Sequence, residues 1–447
     1  MKVLWVCNIM LPAIAQALSE EYSVREGWLS GILGRVLETA DGEAQKEETV
    51  EYDRKEQIQK AAGNLELGIC FPGKSGADLS VRLPLGTKKK EVACYSFYED
   101  LTSPENYDDR MEARFAQILA DFKPDLVHIF GTEFGHAYAC AKVWNKPEKT
   151  LLGIQGLCGS IAEHYYADLP QSVINSVTLR DFLKKDSIRQ QQKKFEKRAQ
   201  TEKKTISLAG HITGRTAFDQ AETNKINPGA QYHAMNETMR SGFYEGSWSL
   251  TDCRRHEIFV SQADYPLKGF HYLLQAMPAV LGKYPDAQIK VAGNSILGTG
   301  GFKSRLKLPA YGKYLRRLIR QYGLEGHVTV LGRMQEEQMK QEYLSAHLFV
   351  CPSAVENSPN SVAEAQLLGV PVAAARTGGI PSVVKHEQSG LLFDKGNSQQ
   401  LAEAVLRIFG DDAFAEELSE TEKGLAHSQY DGDVNFRRLL EIYGEIA

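Results

Sequence analysis

What this chain lacks narrows its class before any motif is read. No apolar run is long enough to span a bilayer. The amino-terminal MKVLWVCNIMLPAIAQA imitates a secretory leader through its Ala-x-Ala endings, but it carries a single Lys, and Asn8 and Pro12 interrupt the apolar run. The expectation there is a first buried strand over residues 3–7, whose carboxyl end opens a ligand loop. Seven cysteines are scattered from Cys7 to Cys351 with no C-x-x-C among them, which suits neither a disulfide framework nor a zinc site and favours a reducing, cytoplasmic setting. The formal charge of −5 gives no general attraction to nucleic acid. There is no short-period repeat and no low-complexity tract.

What is present is an ordinary globular composition, 43% hydrophobic and 24% charged, over 447 residues, enough for two or three domains with large cores. The most informative stretch is HLFVCPSAVENSPNSVAEAQLLGVPV, residues 347–372. Leu348 to Cys351 is a short apolar run that suits a buried parallel strand. A loop follows, and Ser358-Pro359 reads as N-cap and first residue of a helix that Gly369 closes, with Pro371 just beyond. Strand, tight loop and helix N-terminus together make a place where backbone amides can meet an anion.

Two carboxylates sit on this unit. Glu356 lies in the loop, and Glu364 shares a helical face with Leu367 and Leu368. A carboxylate on an apolar face costs several kcal/mol unless it is paired or hydrogen-bonded. It is either half of a structural salt bridge or an acceptor for the two hydroxyls of a ribose. Further back, YPLKGFHYLLQAM places Lys268 at the mouth of a loop before a helix with Phe270, Leu273, Leu274 and Met277 on its apolar face, and Gly269 permits the close approach that a diphosphate needs.

Glu, seven residues, Glu on such a unit, with LKGFHYLLQA, IKVAGNS, VTVLGRM and RTGGIPSVVKHEQSGLLF in order, resembles the donor region of the retaining glycosyltransferases of family 4; the resemblance covers most of residues 258–392. It implies the GT-B fold, an α/β architecture of two Rossmann-like domains with parallel sheets facing a central cleft: residues 1–245 for acceptor, 255–425 for donor, and a helix at 430–447 that returns to the first domain. It implies transfer of a sugar from a UDP- or GDP-sugar to a hydroxyl of a glycan or lipid-linked acceptor, in polysaccharide or glycoconjugate synthesis. Lys268 and the amides around Ser358, Asn360 and Ser361 would stabilise the departing diphosphate, Glu356 would orient the sugar, Glu364 would hold the ribose, and Gly293 of IKVAGNS would line the donor. The family's usual Arg, six residues before the Lys, is Gln262 here, so Arg215 or Arg333 would complete the clamp. No D-x-D cage sits in this region, and neither metal nor other cofactor is expected. A nucleotide-sugar epimerase, a phosphorylase and a non-catalytic partner subunit are the alternatives.

The first half is less explicit. Gly27, expected just before the first helix, stands where the family has its glycine-containing loop, and Trp28 beside it is either a core anchor or a stacking platform for a sugar, both on the acceptor side. His128 falls within the strand of DLVHIFGTEFG and Glu133 at its exit; a His in an apolar strand is more often a satisfied core residue than a catalyst, and Phe130 stands where family members carry a second His. EHYYADLP, with Glu163, His164, Tyr165 and Tyr166, is either an acceptor wall or a packed turn. SLAGHITGRTAFD reads as the last strand of the first domain with Arg215 in its exit loop. The basic stretch 184–204 is a solvated helix or a patch facing anionic membrane at the inner face or a diphosphate-linked acceptor.

Overall fold

The computed structural model describes residues 1–20, 27–38, 65–74, 76–294, 296–298 and 307–447, without the side chains of residues 27 and 28. Residues 40–60, charged and irregular in sequence, lie outside the described residues. The chain divides into two compact units. The first holds Met1–Gly159, Lys197–Arg240 and Tyr430–Ala447; the second holds Ser160–Glu196 and Ser241–Gln429.

The first unit is built on a sheet of eight described strands: β1 (Lys2–Val6), β2 (Glu66–Pro72), β3 (Ser80–Leu85), β4 (Lys90–Phe97), β5 (Leu126–Phe130), β6 (Thr150–Gly153), β7 (His211–Gly214) and β8 (Gln231–Ala234). Their order is β3-β4-β2-β1-β5-β6-β7-β8, parallel except for the β3–β4 hairpin. β1 and β5 are apolar on both faces because helices cover both, and so read as continuous hydrophobic runs. The carboxy-terminal helix Gly432–Ile446 belongs to this unit. Its Tyr443 hydroxyl takes the Trp5 indole N–H at 2.8 Å and meets His128 Nδ1 at 2.8 Å, which pins the helix to the first and fifth strands. β7 is not the last strand, as the sequence suggested: QYHA adds β8 at the sheet edge, a four-residue strand too short and too mixed in character to show an apolar period.

The second unit carries six described strands: β9 (Arg254–Val260), β10 (Gln288–Ala292), β11 (Val328–Gly332), β12 (Ala346–Cys351), β13 (Val372–Arg376) and β14 (Leu391–Asp394), all parallel, in the order β11-β10-β9-β12-β13-β14. Residues 160–196, read from sequence as part of the first domain, pack here instead. Tyr272 donates to Asp168 at 2.6 Å, His271 Nε2 lies 2.9 Å from the Ala167 carbonyl, and the Ala310 amide donates to Asp181 at 2.9 Å. These ties span more than a hundred residues, and no local pattern encodes them. All seven cysteines are buried and free. Among the described residues no helix is long and apolar enough to cross a membrane.

Candidate functional site

In the second sheet the strand order reverses between β9 and β12, and the crevice outside the carboxyl ends of strands at such a switch point is where open α/β sheets bind ligands. Lys268 comes from the loop after β9 and Glu356 from the loop after β12. The lysine ends a short 3₁₀ turn, Pro266–Lys268, and Gly269 follows at φ +65°. A Cβ on Gly269 would lie 1.8 Å from the Pro352 carbonyl, so only glycine lets the two loops touch. The Ala354 amide donates to the Leu267 carbonyl at 2.7 Å and locks them together. Lys268 Nζ then reaches Glu356 Oε1 at 2.6 Å, and the Ser353 hydroxyl donates to the same oxygen at 2.8 Å. Burial works against the charge on Lys268, but the Glu356 carboxylate, helped by Tyr265, outweighs it and raises the lysine pKa above its ordinary value. The ammonium is a fixed charge.

The loop after β13 supports Glu356 from the other side. Gly378, at φ +51°, presents its α-carbon to the Glu356 carbonyl, where a Cβ would come within 2.0 Å. The Gly379 amide donates to that carbonyl at 2.9 Å, and the Thr377 hydroxyl donates to Ala354 at 2.9 Å. Glu356 thus sits on a loop held by its neighbours on both sides.

The helix of this unit is Asn360–Leu368, one residue later than the expected start. Pro359, not Ser358, is its N-cap, and no side chain caps it. Proline has no N–H, and its carbonyl takes the Val362 and Ala363 amides at 3.0 and 3.3 Å. The early amides, those of Asn360 and Ser361 included, lie at an end where intrahelical partners run out. Gly369 closes the helix at φ +74° as expected. Glu364 is 7% exposed, and the Tyr343 hydroxyl lies 2.9 Å from the Ser361 carbonyl and 3.5 Å from Glu364 Oε2.

Gln262 and Gly293 are brought together by a residue the sequence reading passed over. The Asp264 carboxylate accepts from the Asn294 amide at 2.9 Å, from Asn294 Nδ2 at 2.6 Å and from Gln262 Nε2 at 3.3 Å. Gly293, at φ +107°, would place a Cβ 2.8 Å from the same carboxylate. Arg333, exposed after β11, donates to Asn294 Oδ1 at 2.8 Å. Asp264 carries no motif of its own; Gln-x-Asp after a strand is too common a spacing to single it out.

In the first unit the residues singled out by sequence have different surroundings. Arg215 is buried in an ion pair with Glu237, and its guanidinium leans on the Ile154 and Gln155 carbonyls at 3.4 and 3.3 Å. Taking one partner from a buried pair is costly, so Arg215 is committed where it stands, and Arg333 is the cation on the Gln262 side. His128 is fully enclosed, and burial pushes its pKa down to about 3. It is a neutral core residue, not a surface for acceptor. Glu133 ties the exits of β5 and β6, accepting from the Gly156 amide at 2.7 Å and from the Thr132 amide at 2.9 Å. Beneath them Glu202, also missed from sequence, accepts from the Cys158 and Gly159 amides at 2.8 and 3.0 Å and from Thr132 Oγ1 at 2.9 Å; burial pushes its pKa up to about 7. Gly27 and Trp28 open the helix Gly27–Glu38, with a helix Pro12–Leu18 ahead of it, so they do not precede the first helix; their side chains lie outside the described residues. In EHYYADLP the packed turn is found for Tyr165, 6% exposed, whose ring lies 5.6 Å from that of Phe195.

These two Rossmann-like units define a class of fold. Over its whole length the chain superposes on all of the HepE structure from Anabaena in complex with UDP and glucose, with a TM-score of 0.62 at 15% identity, and the shared architecture is the GT-B fold. The second unit is more specific: residues 252–424 match the family model described as glycosyl transferases group 1. Among curated proteins, a glycosyltransferase of Methanocaldococcus jannaschii (MJ1607) is 28% identical over 200 residues, 45% of this chain and 47% of its own. The D-inositol 3-phosphate glycosyltransferase of Corynebacterium urealyticum is 32% identical over 178 residues, 40% of each. The matched segment thus spans less than half the length of these relatives.

Proposed function

We propose that the protein is a retaining glycosyltransferase of family 4 that moves a hexose from a UDP- or GDP-sugar to a hydroxyl of a glycan or lipid-linked acceptor in polysaccharide or glycoconjugate synthesis. The observation that carries this reading is the Lys268–Glu356 pair at the switch point of a sheet whose residues match a glycosyl transferase model. HepE, a neighbour in fold, is described in complex with UDP-glucose, which supports a nucleotide-sugar as donor.

Lys268 and the amides at Asn360 and Ser361 stabilise the negative charge that grows on the diphosphate as the glycosidic bond breaks. Donors fixed in advance and aimed at the leaving group are often the largest catalytic contribution. Glu356 does two things: it holds Lys268 in place and accepts hydroxyls of the transferred sugar. Glu364 takes the ribose, and Gln262, Gly293 and Arg333 line the nucleotide. The acceptor is held by the first unit, around Glu133 and Gly27–Trp28, and peripheral contact with an anionic membrane accompanies the reaction in the cytoplasm.

A thermal-shift panel of UDP- and GDP-sugars on the full chain, followed by assay of released nucleoside diphosphate, tests the reading. Binding at a hundred times the dissociation constant stabilises by about 2.7 kcal/mol, well within detection. If no nucleotide-sugar raises the melting temperature and none is turned over, the reading is wrong; an altered nucleotide-sugar released without acceptor makes the chain an epimerase instead.

A further inference from the structure

The helix Leu179–Lys184 is inside out. Leu179, Phe182 and Leu183, at positions i, i+3 and i+4 on one face, are 68%, 71% and 70% exposed, and Val177 just before them is 56% exposed. The opposite face carries a charge inward: Asp181 is 1% exposed, caps the helix through the Thr178 amide and accepts the Ala310 amide at 2.9 Å. A surface helix ordinarily does the reverse, and clustered large apolar side chains in water mark an interaction surface. The helix is not frayed, since a reciprocal cap between Thr178 and Asp181 fixes its start.

Exposed cations lie beside the patch in sequence and on the helix that Asp181 holds. Lys184 and Lys185 are exposed beside it, while the nearby acid Asp186 is taken up by Arg180 at 2.7 Å. The helix Ala310–Gln321, whose first amide Asp181 holds, turns Lys313, Arg317 and Arg320 outward at i, i+4 and i+7. By contrast several cations of the longer basic stretch are spent within their own unit: Arg189 on Asn175, Lys197 on Asn106 and Arg198 on the Glu133 carbonyl.

We propose that Leu179–Lys184 is a membrane-docking element, which inserts Leu179, Phe182 and Leu183 among the acyl chains of an anionic bilayer while Lys184, Lys185 and the Lys313–Arg317–Arg320 stripe engage its headgroups. Apolar insertion and headgroup attraction reinforce one another in such surfaces, and lysine stems reach back to the interface. The occupant is lipid, not protein, because the apolar tip is narrow and the exposed charges that follow it, Lys184 and Lys185, are cationic.

Flotation of the full chain with phosphatidylcholine vesicles, with and without phosphatidylglycerol, tests this without any sugar donor, so its result is independent of the transferase reading. The wild type is expected to float with phosphatidylglycerol vesicles and to be partly released by salt. The double variant Phe182→Ser with Leu183→Ser should lose roughly a hundredfold in partitioning, and Lys184→Gln with Lys185→Gln roughly thirtyfold. All of these residues are exposed, so the variants should melt with the wild type. Equal flotation of wild type and both variants, or binding indifferent to phosphatidylglycerol, overturns the proposal. So does concentration-dependent self-association that the serine variant abolishes, which would make the patch a protein interface.

Discussion

Lys268 Nζ and Glu356 Oε1 are 2.6 Å apart although 88 residues separate them. Each stands at the end of a different strand, and three close backbone approaches, at Gly269, Ala354 and Gly378, hold their loops in contact. A cation held in this way needs no reorganisation when charge appears beside it, which is the physical basis of leaving-group stabilisation.

The carboxylates should separate kinetically. On the proposed role, Glu364 would hold the ribose in ground and transition state alike, so Glu364→Gln should mostly raise the donor KM. The loss of a charged hydrogen bond worth roughly 1.5–3 kcal/mol corresponds to about ten- to a hundredfold. Glu356→Gln should mostly lower kcat, because it frees Lys268 and would lose the proposed sugar contacts, which tighten as the bond breaks. Circular dichroism must first show both variants folded. Unchanged KM and kcat in both would make the two carboxylates structural.

Transfer should survive EDTA. A protonated lysine and helix amides can neutralise the diphosphate, and residues 258–392 contain no D-x-D. Activity that disappears on chelation and returns with Mg²⁺ or Mn²⁺ would show that the diphosphate is held in another way.

Two glycine substitutions isolate the close approach of the loops. Gly323 has φ +67° with open space around it, so Gly323→Ala should cost only the left-handed strain, about 1 kcal/mol. Gly269→Ala adds a clash with the Pro352 carbonyl and should cost about 3 kcal/mol or more, read as a shift of the denaturant midpoint. Similar losses at both positions would mean that the loops yield readily.

Glu202 should make stability pH-dependent. Burial raises its folded pKa from 4.5 to about 7, although the Gly159 and Cys158 amides pull it down. The folded state therefore holds a proton that the unfolded chain releases. This contribution is fully present below about pH 4.5 and is lost as pH rises to about 7, a change of roughly 3 kcal/mol. Glu202→Gln should flatten the stability profile between pH 5 and 8, measured by urea melts. An unchanged slope would mean that another group titrates there.

The second unit was legible in the sequence because its signals are local. Leu348 to Cys351 is apolar because both faces of β12 are covered, and Gly269 and Gly369 mark positions where φ is positive. Lys268 and Glu356 could be picked out by residue type beside such turns. Their pairing could not, nor could Asp264 as the hub for Gln262, Gly293 and Asn294, because these contacts join loops of different strands and leave no period behind. The same reason explains the misjudged partners. Arg215 looked available in its exit loop, yet tertiary packing buries it against Glu237, and His128 is claimed by Tyr443 from the far end of the chain. The sequence by itself determined the α/β class, the strand–loop–helix units and the residue types at their carboxyl ends, since each depends on neighbours a few positions away. Only the tertiary structure decided which of those residues meet, that residues 160–196 pack with the second unit, and that Leu179, Phe182 and Leu183 face water, because burial and pairing depend on surfaces contributed by distant segments.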